Sequence, residues 1–330
     1  MGARLSKVPP RRLWRPAVWG LRVRNQIEVS RNAYMPAIST ADRTIFGIGL
    51  AFASFFILSS ADALTKLLSF RYSVYQVAVV DAVFALIVAL PVLIRQEGLA
   101  SLKPRRPRIV MLRCGAGAGS LMLAFLSFVQ IPLADAYSLA FLAPLAVTAL
   151  AVPVLGEHVG WRQWLAVIIG FAAVLAILRP DFGAVGIGQL DMLASAALFA
   201  VSMLMLRRIA KTESNAALLL VYFTMLFLIG LPFAIGHWRT PDAPGFALMA
   251  LTGACSGLGN LLLIMAFRYA QAAIVSSFMY SQLIWGTAFG FVLFSDLPDA
   301  TTIGGAAVIM LCGLYTLLHA AKTQGIPATG

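Results

Sequence analysis

Ten stretches of about twenty mostly apolar residues decide what this chain can fold into. A helix crossing roughly 30 Å of hydrocarbon at about 1.5 Å per residue needs some 20 such residues, and it must bond every backbone N–H and C=O within itself. The stretches run over 45–66, 74–94, 109–129, 134–154, 162–178, 188–207, 216–236, 246–267, 272–294 and 301–320. Composition agrees, since 60% of the 330 residues are AVILMFWYC and only 12% are charged, about half the charge that a soluble globular surface carries. A soluble domain and a disordered chain are both ruled out. The connections, such as Gln130–Leu133 and Arg179–Ile187, are short and hold the Pro and Gly that punctuate helices. No extramembrane domain is expected between spans.

The net charge of +12, from 25 Lys and Arg against 13 Asp and Glu, reads as topology. The basic residues fall between the apolar stretches rather than along amphipathic segments, so no nucleic-acid partner is expected. With the N-terminus in the cytoplasm, 21 basic residues lie inside and only Lys66, Arg71, Arg179 and Arg239 outside. The positive-inside rule then predicts a multi-pass protein of the cytoplasmic (inner) membrane with both termini cytoplasmic. Residues 1–44 read as a basic, disordered cytoplasmic tail, because no apolar h-region with a small-residue cleavage site follows the arginines; Met35 is an alternative start. Residues 321–330 form a second short tail. Cys114, Cys255 and Cys312 sit in apolar runs at spacings that fit neither a zinc site nor a redox pair, which predicts no disulfide.

The spans repeat. Ala89-Leu90-Pro91 answers Gly230-Leu231-Pro232 at an offset of 141, as Lys66 answers Arg207; Gly119-Ser120-Leu121 answers Gly259-Asn260-Leu261 at 140. Leu155-Gly156-Glu157 answers Phe294-Ser295-Asp296 at 139. Near-constant offsets in sequence order predict two copies of a five-helix unit, 45–180 and 181–320. Because five is odd, the second copy enters from the opposite side, so the expected fold is an all-α integral membrane protein of ten transmembrane helices built as two inverted five-helix repeats.

A family resemblance rests on Ala134-Asp135-Ala136-Tyr137, Phe141-Leu142-Ala143-Pro144, Leu155-Gly156-Glu157, Trp161, Trp164, Gly170 and Arg179-Pro180. These resemble the EamA-type domain of the drug/metabolite transporter superfamily, with a looser second copy from Ala272 to Asp296, Gly304 and Gly313. The resemblance, over about residues 45–320, implies a ten-helix transporter with a central cavity lined by spans one to four and six to nine. It implies no particular cargo, because the family moves amino acids, nucleotide-linked and cofactor-like metabolites and drugs. One departure is Leu283, where a proline would stand opposite Pro144; it puts the bend of span nine in question.

An ionisable side chain at bilayer depth costs at least about 2.5–3.5 kcal/mol, so each is a functional candidate. Asp62 and Lys66 lie four apart on one face of span one, and Asp81 lies about 10 Å along span two. The three are expected to cluster in the outer half, either as a self-neutralising staple or as a substrate or proton site. Span nine brings Tyr280, Ser281 and Trp285 after Ser277, and Ser277, Ser281 and Trp285 share a face able to hold an organic solute by stacking and hydrogen bonds. Asn260, Tyr222, Ser202, Tyr137 and Phe141 are the other candidate substrate-binding residues, some of which are expected to be interhelical glue. The Gly115, Gly117, Gly119 run lacks a preceding strand and a P-loop lysine, so close helix approach is expected of it. Arg113 either snorkels to the inner headgroups or meets an anionic solute. Glu157 and Asp296 are expected at helix ends on opposite faces.

These features predict a secondary transporter moving a small organic metabolite, amino-acid-like or cofactor-like, by alternating access. The alternatives are a membrane-embedded enzyme, a channel and a drug efflux protein of the same fold. An enzyme would need a site at depth, yet His158, His237 and His319 sit at or beyond span ends and no Ser–His–Asp, HExxH or paired-carboxylate arrangement is present. No catalytic residue, cofactor or metal is therefore expected; the partners are a small-molecule substrate and the lipid bilayer.

Overall fold

The computed structural model describes residues 40–155, 160–178, 186–209, 212–270, 274–275 and 278–323. The chain divides into two units, Met1–Arg43 and Thr44–Gly330, and the helical body is the second. Among the described residues every regular element is helical: α1 (Thr40–Ser69), α2 (Val74–Glu97), α3 (Pro107–Gln130), α4 (Leu133–Ala140), α5 (Leu142–Leu155), α6 (Trp161–Leu178), α7 (Ile187–Ile209), α8 (Asn215–Gly236), α9 (Ala243–Tyr269), α10 (Ser281–Phe294) and α11 (Ala300–Thr323), with 3-10 turns at Leu99–Leu102 and Phe278–Tyr280. Seven stretches are long and apolar enough to cross a membrane: Thr44–Ser69, Val74–Glu97, Pro107–Gln130, Leu133–Leu150, Ile187–Leu206, Asn215–Gly236 and Ala243–Tyr269. Trp164–Ala176, Phe278–Phe294 and Ala300–Tyr315 are apolar but shorter.

Two of the ten apolar runs are broken. The run 134–154 is split at Phe141, which sits between α4 and α5 at φ −67°, ψ −5°. Pro144 explains the break, because it lacks the N–H that would bond the Ala140 carbonyl. The run 272–294 is interrupted as well, by the 3-10 turn ahead of α10, although Leu283 stands where a proline would be. Here the Ser281 hydroxyl donates to the Phe278 carbonyl at 2.7 Å, so a side chain takes part of the bonding that the backbone gives up. The α-helix of span nine thus starts only after a 3-10 turn, without a proline at Leu283.

Capping fixes where several helices begin and end. Ser214 accepts from the Ala217 amide at the start of α8, and Asp242 accepts from Gly245 at the start of α9, where Pro244 sits in the first turn. Gly98, at φ +83°, closes α2 in backbone space that a side chain resists. Tyr72 donates its hydroxyl to Asp242 at 2.7 Å, and that bond holds the exposed carboxyl below the usual carboxylate range.

The helices run alternately between two ends of the body. One end, marked by Lys66, gathers the ends of α1, α3, α8 and α10 with the starts of α2, α7 and α9, as the contacts Lys66–Ile131, Lys66–Asp296, Gln130–Asp191, Gln76–Arg239 and Tyr72–Asp242 show. The other end, marked by Glu97, joins the end of α2 to the start of α8 and the end of α9. Between them α3 packs on α7 and α8, α2 on α8 and α9, and α6 on α11. Ser120 and Ser195 each donate to the other's backbone carbonyl, at 2.8 and 2.7 Å, and so bind α3 to α7.

Close helix approach is concentrated on α9. A Cβ on Gly257 would stand 2.5 Å from the Ala85 carbonyl oxygen, and one on Gly253 would stand 2.6 Å from that of Asp81. This pair, four residues apart, lets the backbones of α9 and α2 touch. The Gly115, Gly117, Gly119 run does less than expected: Gly115 has open space in front of it, Gly119 meets the Leu198 side chain, and Gly117 makes room for Ser202 and the Tyr222 ring. Cys114, Cys255 and Cys312 are free.

Candidate functional site

The expected Asp62–Lys66–Asp81 cluster does not form. Lys66, buried near the end of α1, directs its Nζ to Asp296 Oδ2 at 3.2 Å and to the Ile131 carbonyl at 3.0 Å, over the Phe294 ring at 4.9 Å. Its ion partner lies 230 residues away, just beyond α10. Asp296 therefore does more than end a helix; it is the counterion of a buried ammonium. Sequence spacing missed this because one helical turn separates Asp62 from Lys66 whether or not the lysine bends toward its own helix end. Glu157 lies outside the described residues.

With the lysine withdrawn, each carboxyl is held by one hydroxyl. The Tyr137 hydroxyl on α4 donates to Asp62 Oδ2 at 2.6 Å. Ser256 on α9 donates to Asp81 Oδ1 at 2.6 Å, while Asp81 Oδ2, fully buried, has no partner. Asn260, one turn further along α9, donates Nδ2 to the Ser256 carbonyl at 2.9 Å and so belongs to the same layer. Asp62 and Asp81 lie within electrostatic reach of each other. A carboxyl buried with a single neutral donor and no cation is a high-energy arrangement, kept where it does something or where the proton stays on.

Nearer the Glu97 end, Arg113 turns inward. Its guanidinium lies 5.9 Å from the centre of the Tyr222 ring and its Nη1 is 3.6 Å from Cys114 Sγ; its Nε is buried with no partner. The residue as a whole is half-buried, on a helix that packs against α7 and α8. Ser202 donates to the Arg113 backbone carbonyl at 3.0 Å, so this candidate serves as a clamp between α7 and α3. Tyr222 lies within electrostatic reach of Arg113, Asp81 and Asp62.

The remaining candidates separate into two groups. Phe141 and Tyr280, from the two broken spans, meet edge to face at 5.0 Å, with the Tyr280 hydroxyl buried and unpaired. Trp285 stands between Phe52 and Phe56 of α1, at 5.2 and 4.9 Å, with a buried, unpaired Nε1. Ser281 donates its proton to the Phe278 carbonyl; Ser277 lies outside the described residues. Asp81, Arg113, Tyr280 and Trp285 thus each present a buried polar atom that the protein leaves unbonded, with Ser59 and Ser127 the other two among the described residues.

Sequence reasoning missed the polar ties at the Glu97 end. Glu97 accepts from Asn215 Nδ2 at 3.0 Å and from the Ala216 amide at 3.2 Å, and pairs with Arg268 at 3.2 Å. Glu213 accepts from the backbone amides of Arg105 and Arg106 at 2.9 and 2.7 Å. Ser256 was missed too; a hydroxyl in a small-residue stretch opposite a buried carboxylate was the signal. No group of three or more His, Cys, Asp or Glu that could hold a metal occurs among the described residues.

Residues 45–179 match the EamA-like transporter family. An S-adenosylmethionine uptake transporter of Rickettsia bellii (strain RML369-C) is 27% identical over 286 residues, which cover 84% of this chain and 95% of that protein. The pseudopaline exporter CntI of Pseudomonas aeruginosa (strain UCBPP-PA14) is 26% identical over 270 residues, covering 81% and 94% respectively. A solved crystal structure superposes with a TM-score of 0.60 at 16% identity over 86% of this chain and 99% of that one, which is a likeness of fold.

Proposed function

Because this chain is an EamA-type member of the drug/metabolite transporter superfamily, we propose that it is a secondary transporter that carries a small organic metabolite across a membrane by alternating access. Its cargo is an amino-acid-like or cofactor-like solute, the kind of molecule that the relatives' names specify: S-adenosylmethionine for one, pseudopaline for the other. One of these is an uptake protein and the other an exporter, so the fold serves either direction. The observation that carries the reading is the set of buried, incompletely bonded polar atoms within the apolar spans, above all Asp81 Oδ2 and Arg113 Nε. Polar atoms that helix packing does not satisfy at that depth are what a solute site needs.

The proposed architecture is ten spans in two inverted repeats, 45–180 and 181–320, in the cytoplasmic membrane with both termini inside. Three features support it. The first helix of each half runs the opposite way, α1 toward the Lys66 end and α7 away from it. Pro91 and Pro232, matched by the offset of 141, both lie within helices, α2 and α8, that pack on each other. The matched spans four and nine are both broken, and they meet at Phe141 and Tyr280. Such a pair of halves can exchange conformations, which gives two states opening to opposite sides.

The test is a release-and-uptake screen with purified protein in liposomes, using S-adenosylmethionine and a pool of amino-acid-bearing and nucleotide-linked metabolites. Accumulation of an unmodified solute above protein-free liposomes is expected. Conversion of a solute without accumulation would favour the membrane-embedded enzyme instead.

A further inference from the structure

We infer that the cargo is a dipolar solute bound lengthwise, with its cationic group at Asp81, its flat body on Tyr222 and its anionic group at Arg113. The inference deepens the transporter reading and rests on it.

A buried carboxyl, Asp81, and a half-buried guanidinium, Arg113, both lie near the Tyr222 ring, and among the described residues neither has an ion partner. Asp81 is fully buried, bonds one hydroxyl through Oδ1 and leaves Oδ2 without a donor. The one lysine that span one offers is committed to Asp296 and Ile131. Arg113 has a buried, unpaired Nε, and among the described residues its guanidinium bonds a thiol, that of Cys114. Tyr222 lies beneath the guanidinium and within electrostatic reach of both Asp81 and Asp62. Asp81 and Arg113 form no ion pair with each other.

A buried charge without a partner is strongly unfavourable, and supplying the partner recovers that cost. A cation alone would satisfy Asp81 and leave Arg113 uncompensated, while an anion alone would do the reverse. A solute with both charges satisfies both at once, and its own net charge of zero keeps down the cost of moving it through the membrane interior. The guanidinium's planar fork suits a carboxylate bidentately. The Tyr222 ring suits a flat or aromatic segment between the two charged groups. Asp62, bonded to Tyr137, adds a second negative group on the cationic side.

Three probes on one ring separate the possibilities: 4-(aminomethyl)benzoate carries both charges, benzylamine the cation only and benzoate the anion only. Thermal unfolding of the purified protein in detergent is measured at neutral pH up to about 10 mM of each. The dipolar probe is expected to raise the midpoint at a concentration at least about tenfold lower than either single-charge probe. In Asp81→Asn the dipolar probe should fall to the level of benzoate, and in Arg113→Gln to the level of benzylamine. Equal effects of benzylamine and the dipolar probe on the unsubstituted protein, or no effect of any of the three, would overturn the inference without reliance on a variant. The ranking is independent of transport: liposomes that accumulate a metabolite while the ranking fails leave the transporter reading standing, and the expected ranking without accumulation of any solute leaves a dipolar site on a protein that is not a transporter.

Discussion

Lys66 shows how a single residue can be placed correctly in a span and wrongly in its partnership. Its side chain is 8% exposed and that of Asp296 is 35% exposed, so the two members of the pair are not equivalent. Asp296→Asn would leave a buried ammonium with only the Ile131 carbonyl and a neutral amide, toward the about 3–5 kcal/mol of a broken buried pair. Lys66→Met would leave a carboxylate that reaches water, nearer the about 0–1 kcal/mol of an exposed pair. Thermal unfolding in detergent should therefore rank Asp296→Asn as clearly the less stable variant; the opposite ranking would mean that the pair is not buried as described. Asp81→Asn differs in kind. The amide oxygen still accepts from Ser256, so the protein should fold with a near-normal midpoint, while solute uptake in liposomes falls at least about tenfold. At this scale the sequence marked Asp62, Asp81 and Lys66 as costly at depth, because cost depends on residue type and position in an apolar run alone. Their partners Tyr137, Ser256 and Asp296 lie 75, 175 and 230 residues away, a separation that no local pattern encodes.

At the scale of the helix, apolar length was legible and local bending was not. Pro144 announces the break at Phe141 through a missing N–H, but the 3-10 turn ahead of α10, where Ser281 bonds Phe278, has no proline to announce it. Small residues were similarly ambiguous. Glycines on α3 and on α9 look alike in sequence, yet Gly253 and Gly257 stand closest to another backbone, at 2.6 and 2.5 Å for an added Cβ, while Gly115 has nothing within 4 Å. Gly257→Val should force α9 from α2 and lower stability by about 1–3 kcal/mol or more, whereas Gly115→Ala, with nothing within 4 Å of the added methyl, should be silent or slightly stabilising; parallel unfolding curves check the contrast. The cap of α9 has a pH sign of its own. Asp242 is held below the usual carboxylate range by Tyr72, so its contribution is present above the ordinary carboxylate pKa and is lost only as pH falls through the lowered value. In Tyr72→Phe, amide exchange at Gly245 should begin to rise at a less acidic pH than in the parent.

For the molecule as a whole, the charge asymmetry and the offsets near 140 are the ground on which inverted halves are proposed. Single cysteines at Gly160, ahead of α6, and at the exposed Leu297, beyond α10, in a background without Cys114, Cys255 and Cys312, should react with an impermeant maleimide from opposite membrane faces. Reaction of both from one face would contradict the inverted arrangement. What the sequence could not convey is which groups the assembled bundle leaves unsatisfied, since that depends on how helices distant in sequence meet. The account's central claim is that those groups receive a solute that the protein carries by alternating access. Its most direct test is counterflow: liposomes holding the purified protein are preloaded with an unlabelled solute found in the uptake screen, and entry of trace labelled solute is followed. A carrier that alternates predicts a transient accumulation above equilibrium that requires the preload and is lost in Asp81→Asn. Entry that is indifferent to the preload, and equal in the variant, would contradict it.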